Sequence, residues 1–119
     1  MKRVYWIASS REDLKSFPAV VVQSVGFALY RAQEGKKAPS AKPLRGIVRG
    51  AGVLEIVEDH DGGTYRVVYT VRFPDAVYVL HAFQKKSKRG IKTPKHEVDM
   101  IRRRYEVARA HHENTGEGP

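Results

Sequence analysis

The clearest alternation of apolar and polar positions lies in residues 64–73, where Tyr65, Val67, Tyr69 and Val71 fall on one side and Arg66, Val68, Thr70 and Arg72 on the other. That period of two predicts a strand with one face in a core. Residues 53–59 alternate in the same way through Leu54 and Ile56, and His60-Asp61-Gly62-Gly63 between the two runs predicts a tight hairpin, since glycine accepts the positive φ that such turns require. Pro74-Asp75 turns the chain again, and residues 76–83 are apolar at both parities, as a central strand is. The β-branched and aromatic run RVYWIA at residues 3–8 predicts a first strand.

A period near 3.6 takes over elsewhere. Ser10, with Asp13 three residues on, has the form of a helix start leading through Leu14, and Phe17-Pro18 breaks the chain before a second helix. Over residues 19–34, Val21, Val25, Leu29 and Ala32 form one stripe, with Gly35 as a stop. Residues 35–52 show neither period and read as an exposed loop, with at most one bridge of strand at Ile47-Val48. Thr93-Pro94 opens a final helix over residues 95–111, with Ile101, Tyr105 and Ala108 as its stripe. The predicted order is β-α-α-β-β-β-α, an α+β domain in which a helical hairpin covers one face of an antiparallel sheet. It is expected to span residues 1–112, with 113–119 as a disordered polar tail.

Composition sharpens this picture. A chain of 119 residues suits a single domain that buries roughly two thirds of its unfolded surface. No cysteine is present, which excludes disulfides and thiolate chemistry and fits a reducing compartment. No apolar run approaches the roughly 20 residues of a membrane span, so a cytoplasmic protein without a membrane partner is expected. The net charge of +9 is concentrated: residues 85–109 hold ten Lys and Arg against three acids. Such a local excess attracts a polyanion or an acidic protein, or else forms a solvated basic face.

The phosphate-binding loop, dinucleotide glycine motif and serine elbow are all absent from the sequence. His111-His112 beside Glu113 has poor geometry for a metal, because successive helical residues do not share a face, and no cofactor is expected. What remains is a set of cations beside a strand pair: Arg66, His81, Lys85 and Lys86 as candidate catalytic groups. Phe83, Lys88, Arg89, Lys92, Lys42 and Arg45 are the candidate RNA-binding residues. Cleavage of RNA by its own 2′-hydroxyl needs such a kit, with cations for the phosphorane and groups that move two protons. An arginine fork binds phosphate oxygens, a lysine beside other cations can exchange its proton, and an aromatic ring can stack a base. Each has a plainer alternative: Arg66 as the ion-pair partner of Glu55 across the hairpin, and His81 as a core histidine.

The segments YRVVY (residues 65–69), VYVLHAFQKKSK (77–88) and TPKHEVDMIRRR (93–104) resemble the RelE/HigB/ParE superfamily of bacterial toxins, on its HigB-like, phage-derived branch. The matching positions are Leu80, His81, Phe83, Lys85, Lys86, Thr93 and Pro94. The resemblance implies a RelE-like fold and a ribosome-dependent mRNA endonuclease of a type II toxin–antitoxin system. Its partners would be mRNA on the ribosome and a cognate antitoxin, usually of helix-turn-helix type. By position, Arg66 is then the phosphate-stabilising arginine and Lys86 the second active-site cation. RelE-type nucleases also carry basic residues on the strand corresponding to residues 53–59, where this sequence has Glu55, Val57 and Glu58. Two other functions fit the same residues: ParE-like inhibition of DNA gyrase without chemistry, and a non-catalytic nucleic-acid-binding module.

Overall fold

A computed structural model describes residues 1–85 and 93–114. Its elements run β1 (Arg3–Trp6), α1 (Ser10–Lys15), α2 (Ala19–Gln33), β2 (Ala41–Pro43), β3 (Val53–His60), β4 (Gly63–Thr70), β5 (Ala76–Lys85) and α3 (Lys95–Asn114). The five strands form one sheet in the order β1-β5-β4-β3-β2. The α+β class and the helical hairpin are as the patterning predicts, with two differences. The sheet is mixed, because β1 enters parallel to β5 at its edge. The strand in the long loop is Ala41–Pro43, antiparallel to β3, whereas Ile47 and Val48 pack as loop residues under the sheet.

The β3–β4 hairpin closes through Asp61 (φ 49°) and Gly62 (φ 80°), a two-residue turn with both φ positive whose twist matches that of the strands. One sheet face carries Ile56, Val67, Tyr69, Val77 and Val79 and is covered by α1 and α2 through Leu14, Val21, Val25, Ala28 and Leu29. The predicted α2 stripe is therefore the buried one. The other face carries Val53, Val68, Tyr78 and Leu80 and receives Ile101, Tyr105 and Ala108 of α3.

The cap of helix α1 lies one residue earlier than expected. Ser9 occupies the cap position and its hydroxyl donates to Asp13 Oδ2 at 2.8 Å, while Ser10 is fully buried and donates to the carbonyl of Val79. Helix α3 continues to Asn114, past the expected boundary at residue 112, and residues 115–119 of the expected tail lie outside the described residues. His111 and His112 join an aromatic cluster at this end, with the Tyr78 hydroxyl 2.8 Å from His111 Nδ1 and Phe73 stacked on His112. Among the described residues no helix is long and apolar enough to cross a membrane.

Candidate functional site

The site is a strip of polar side chains on the α3 face of the sheet, and strand parity explains most of it. Residues directly opposite in neighbouring strands share a face, and the pairs Lys42↔Glu55↔Val68↔His81 and Val57↔Arg66↔Phe83 run across four and three strands respectively. Lys85 lies opposite Thr64, one step further along the same face. The strand β5 could not present these residues with a regular ladder. Val77 and Val79 face the α1/α2 core, so unbroken alternation would send His81, Phe83 and Lys85 there too. Instead β5 carries a bulge: Val68 pairs with His81 and Tyr69 with Val79, leaving Leu80 as the extra residue. The parity flips at that point, and His81, Phe83 and Lys85 follow Tyr78 and Leu80 onto the α3 face.

At the centre of the strip Arg66 Nη1 donates to Glu55 Oε1 at 2.8 Å. Glu55 is 1% exposed, and among the described residues neither Glu55 Oε2 nor Arg66 Nε has a hydrogen-bond partner. Buried carboxylates require compensation, and here one arginine and the nearby lysine provide it. Lys85 is 5% exposed. Its pKa is lowered, first by burial and then by the Arg66 charge, with Glu55 opposing and Lys42 adding to the shift. Lys42 itself is exposed on β2, directly across from Glu55.

The second half of the strip links three elements. His81 is buried, and its Nε2 lies 2.8 Å from Glu97 Oε1 of α3. Arg104 Nη1 donates to His81 Nδ1 at 3.2 Å and to the Leu80 carbonyl at 3.1 Å, while Nη2 donates to Ser9 Oγ at 3.1 Å. Because a guanidinium has no acceptor, Nδ1 must accept and the ring proton sits on Nε2. Phe83 is also buried, with its ring stacked on that of His81 at 5.0 Å. Burial lowers the pKa of Arg104, with Asp13 and Glu97 acting in the opposite direction.

Of the residues singled out from sequence, the structure brings together Arg66, Lys85 and Lys42 around Glu55, with His81 and Phe83 beside them. Arg45 is exposed in the loop after β2, next to the Gly46 and Ile47 carbonyls that Arg102 of α3 holds. Lys86, Lys88, Arg89 and Lys92 lie outside the described residues. Sequence reasoning missed Arg104 and Glu97. Arg104 occupies a stripe position between Ile101 and Ala108, and a lone cation on a buried helix face was the available signal.

A comparison with curated proteins finds no match. Among solved structures, the chain is similar to one described as the toxin–antitoxin complex RelBE2 (Rv2865-2866) from Mycobacterium tuberculosis, at 23% identity and a TM-score of 0.47, over 71% of this chain and 98% of that one. The family model "Phage derived protein Gp49-like (DUF891)" matches residues 12–106. This match spans the hairpin, the sheet from β2 to β5 and most of α3, so the chain belongs to the phage-derived Gp49-like family, the phage-derived branch to which its sequence motif points.

Proposed function

We propose that the protein is the toxin of a type II toxin–antitoxin pair, a ribosome-dependent mRNA endonuclease of the cytoplasm that a cognate helix-turn-helix antitoxin neutralises. The observation that carries this reading is Lys85, a buried amine of lowered pKa beside Arg66 at the end of β5. Family membership and the Leu-His-x-Phe-x-Lys-Lys motif support it. In the proposed reaction the 2′-oxygen bonds to the adjacent phosphorus as the bond to the 5′-oxygen breaks. Arg66, oriented by Glu55, stabilises the charge on the phosphorane oxygens. Lys85 holds a larger neutral fraction than an ordinary lysine, which suits it to proton exchange with the reacting oxygens. Lys42 extends the cationic surface, Lys86 is the second active-site cation that the family resemblance implies, and Arg45, Lys88, Arg89 and Lys92 are proposed as contacts to the RNA backbone. His81, with both ring nitrogens engaged, acts in this scheme by holding Phe83 and β5 in place rather than by moving protons.

The test is primer extension on a defined mRNA in a cell-free translation reaction. Wild type is compared with Arg66→Lys, Lys85→Gln and a ribosome-free control. Arg66→Lys keeps a charge beside Glu55 but loses the planar fork. Cuts that require ribosomes and weaken strongly in both variants are expected. Intact mRNA under a protein that still arrests growth would sink the reading and turn attention to gyrase, for which a supercoiling assay is the measurement.

A further inference from the structure

A buried arginine is costly unless its charge and donors are used. Arg104 is 9% exposed, and the acceptors it contacts are all uncharged: the Leu80 carbonyl, His81 Nδ1 and Ser9 Oγ. Its counter-charges stand one group further out at both ends. Ser9 passes the interaction to Asp13 at 2.8 Å, and His81 passes it to Glu97 at 2.8 Å. The guanidinium therefore joins the cap of α1, β5 and α3 at a single point.

That point is the bulge. Leu80 is the residue left out of the β4–β5 pairing, and His81 is the first residue after the parity flip. A bulge interrupts the ladder and leaves the extra residue unpaired, and Arg104 supplies a donor to the carbonyl of that residue. We propose that Arg104 is a positioning residue for the catalytic strip: by clasping the bulge it fixes the parity of β5 and so presents Lys85 beside Arg66 rather than toward the opposite core. This inference rests on the nuclease reading for its consequence, but the placement of Lys85 is a property of the protein that can be measured without any substrate.

A lysine ammonium is a compact point charge without the planar fork that lets the two Nη atoms reach Leu80, His81 and Ser9 together, so Arg104→Lys and Arg104→Met are the informative changes. The full-length chain, labelled at lysine side chains, is titrated by NMR, with the Lys85 signal assigned through Lys85→Gln. Melting curves show which variants are folded, and ribosome-programmed mRNA cleavage is followed in parallel. The expected result is a folded variant in which the Lys85 titration departs from that of wild type, because its amine has left the side of Arg66 and Glu55. Cleavage falls on the order of a hundredfold, as displacement of a reacting group by about an ångström does. An unchanged Lys85 titration in a folded variant overturns the proposal, as does loss of the fold in both variants, which would make Arg104 a support of the fold as a whole. If wild type proves to cleave nothing, the nuclease reading fails while the titration still decides whether Arg104 places Lys85.

Discussion

The Glu55–Arg66 pair sets a trap for any experiment that simply deletes Arg66. With Glu55 1% exposed and held by Nη1 at 2.8 Å, Arg66→Met leaves a carboxylate in the sheet face with its only direct hydrogen-bond donor among the described residues removed. Breaking a buried pair from one side costs about 3–5 kcal/mol. Lys85 lies within electrostatic reach of Glu55 and offsets part of this, so about 3 kcal/mol is expected, a large share of a typical domain's 5–15 kcal/mol. Replacing both partners, with Glu55→Leu added to Arg66→Met, removes the desolvation penalty together with the attraction. It should return stability to within about 1 kcal/mol of wild type. Urea unfolding of the four proteins, read as midpoints at a common slope, measures the cycle. An Arg66→Met protein as stable as wild type, or a double variant no better than the single one, would refute the claim that the pair is a mutually dependent buried unit.

Three further outcomes follow from single groups. The lowered pKa of Lys85 means that the unfolded chain binds more protons than the folded one between the depressed folded value and the ordinary 10.5. Stability should thus rise with pH across that window relative to Lys85→Met, and the cleavage rate should show a limb there that Lys85→Gln lacks. Burial raises the pKa of Tyr69 from 10.0 to about 12. The unfolded state therefore loses its proton first, and stability should fall as pH climbs from about 10 to about 12, by about 2–3 kcal/mol relative to Tyr69→Phe in urea titrations. Ala8 sits at φ 51° with an exposed side chain. Ala8→Gly should relieve left-handed strain and raise stability by about 0.5–1 kcal/mol net of the added chain entropy, and a lowered melting temperature would count against it.

What could be read from sequence followed from local period. The β4 alternation placed Arg66 on the face opposite Tyr65, Val67 and Tyr69, and the α2 stripe at Val21, Val25, Leu29 and Ala32 is the buried one. The position of Lys85 was legible only in part, because the bulge at Leu80 reverses the parity of β5, and an all-apolar central strand gives no alternation in which a skipped residue would show. The β2 strand escaped detection for a different reason. Three residues containing lysine and proline carry no period, and only the edge of β3 gives Ala41–Pro43 its hydrogen-bonding partner. The Ser9–Arg104–His81–Glu97 chain joins residues 95 positions apart in sequence at its longest link. No spacing rule reaches that far.

The β2 strand also bears on the acidic β3. Where RelE-type nucleases have basic residues, β3 offers Glu55, Val57 and Glu58, and the face near Arg66 would on that count be short of cations. Register changes this conclusion. Lys42 stands directly opposite Glu55 on the same face, and Lys85 approaches from β5 on the other side, so Glu55 lies between two strands that each contribute a cation, with Arg66 bonded to it. A carboxylate in that position spreads the repulsion among three cations and lets them stay close together when no polyanion is bound. An RNA phosphate entering the strip would then compete with Glu55 for groups already gathered. In the proposed function the acid on β3 is therefore part of how the cations are assembled, and the positive charge that β3 lacks is contributed by its neighbours.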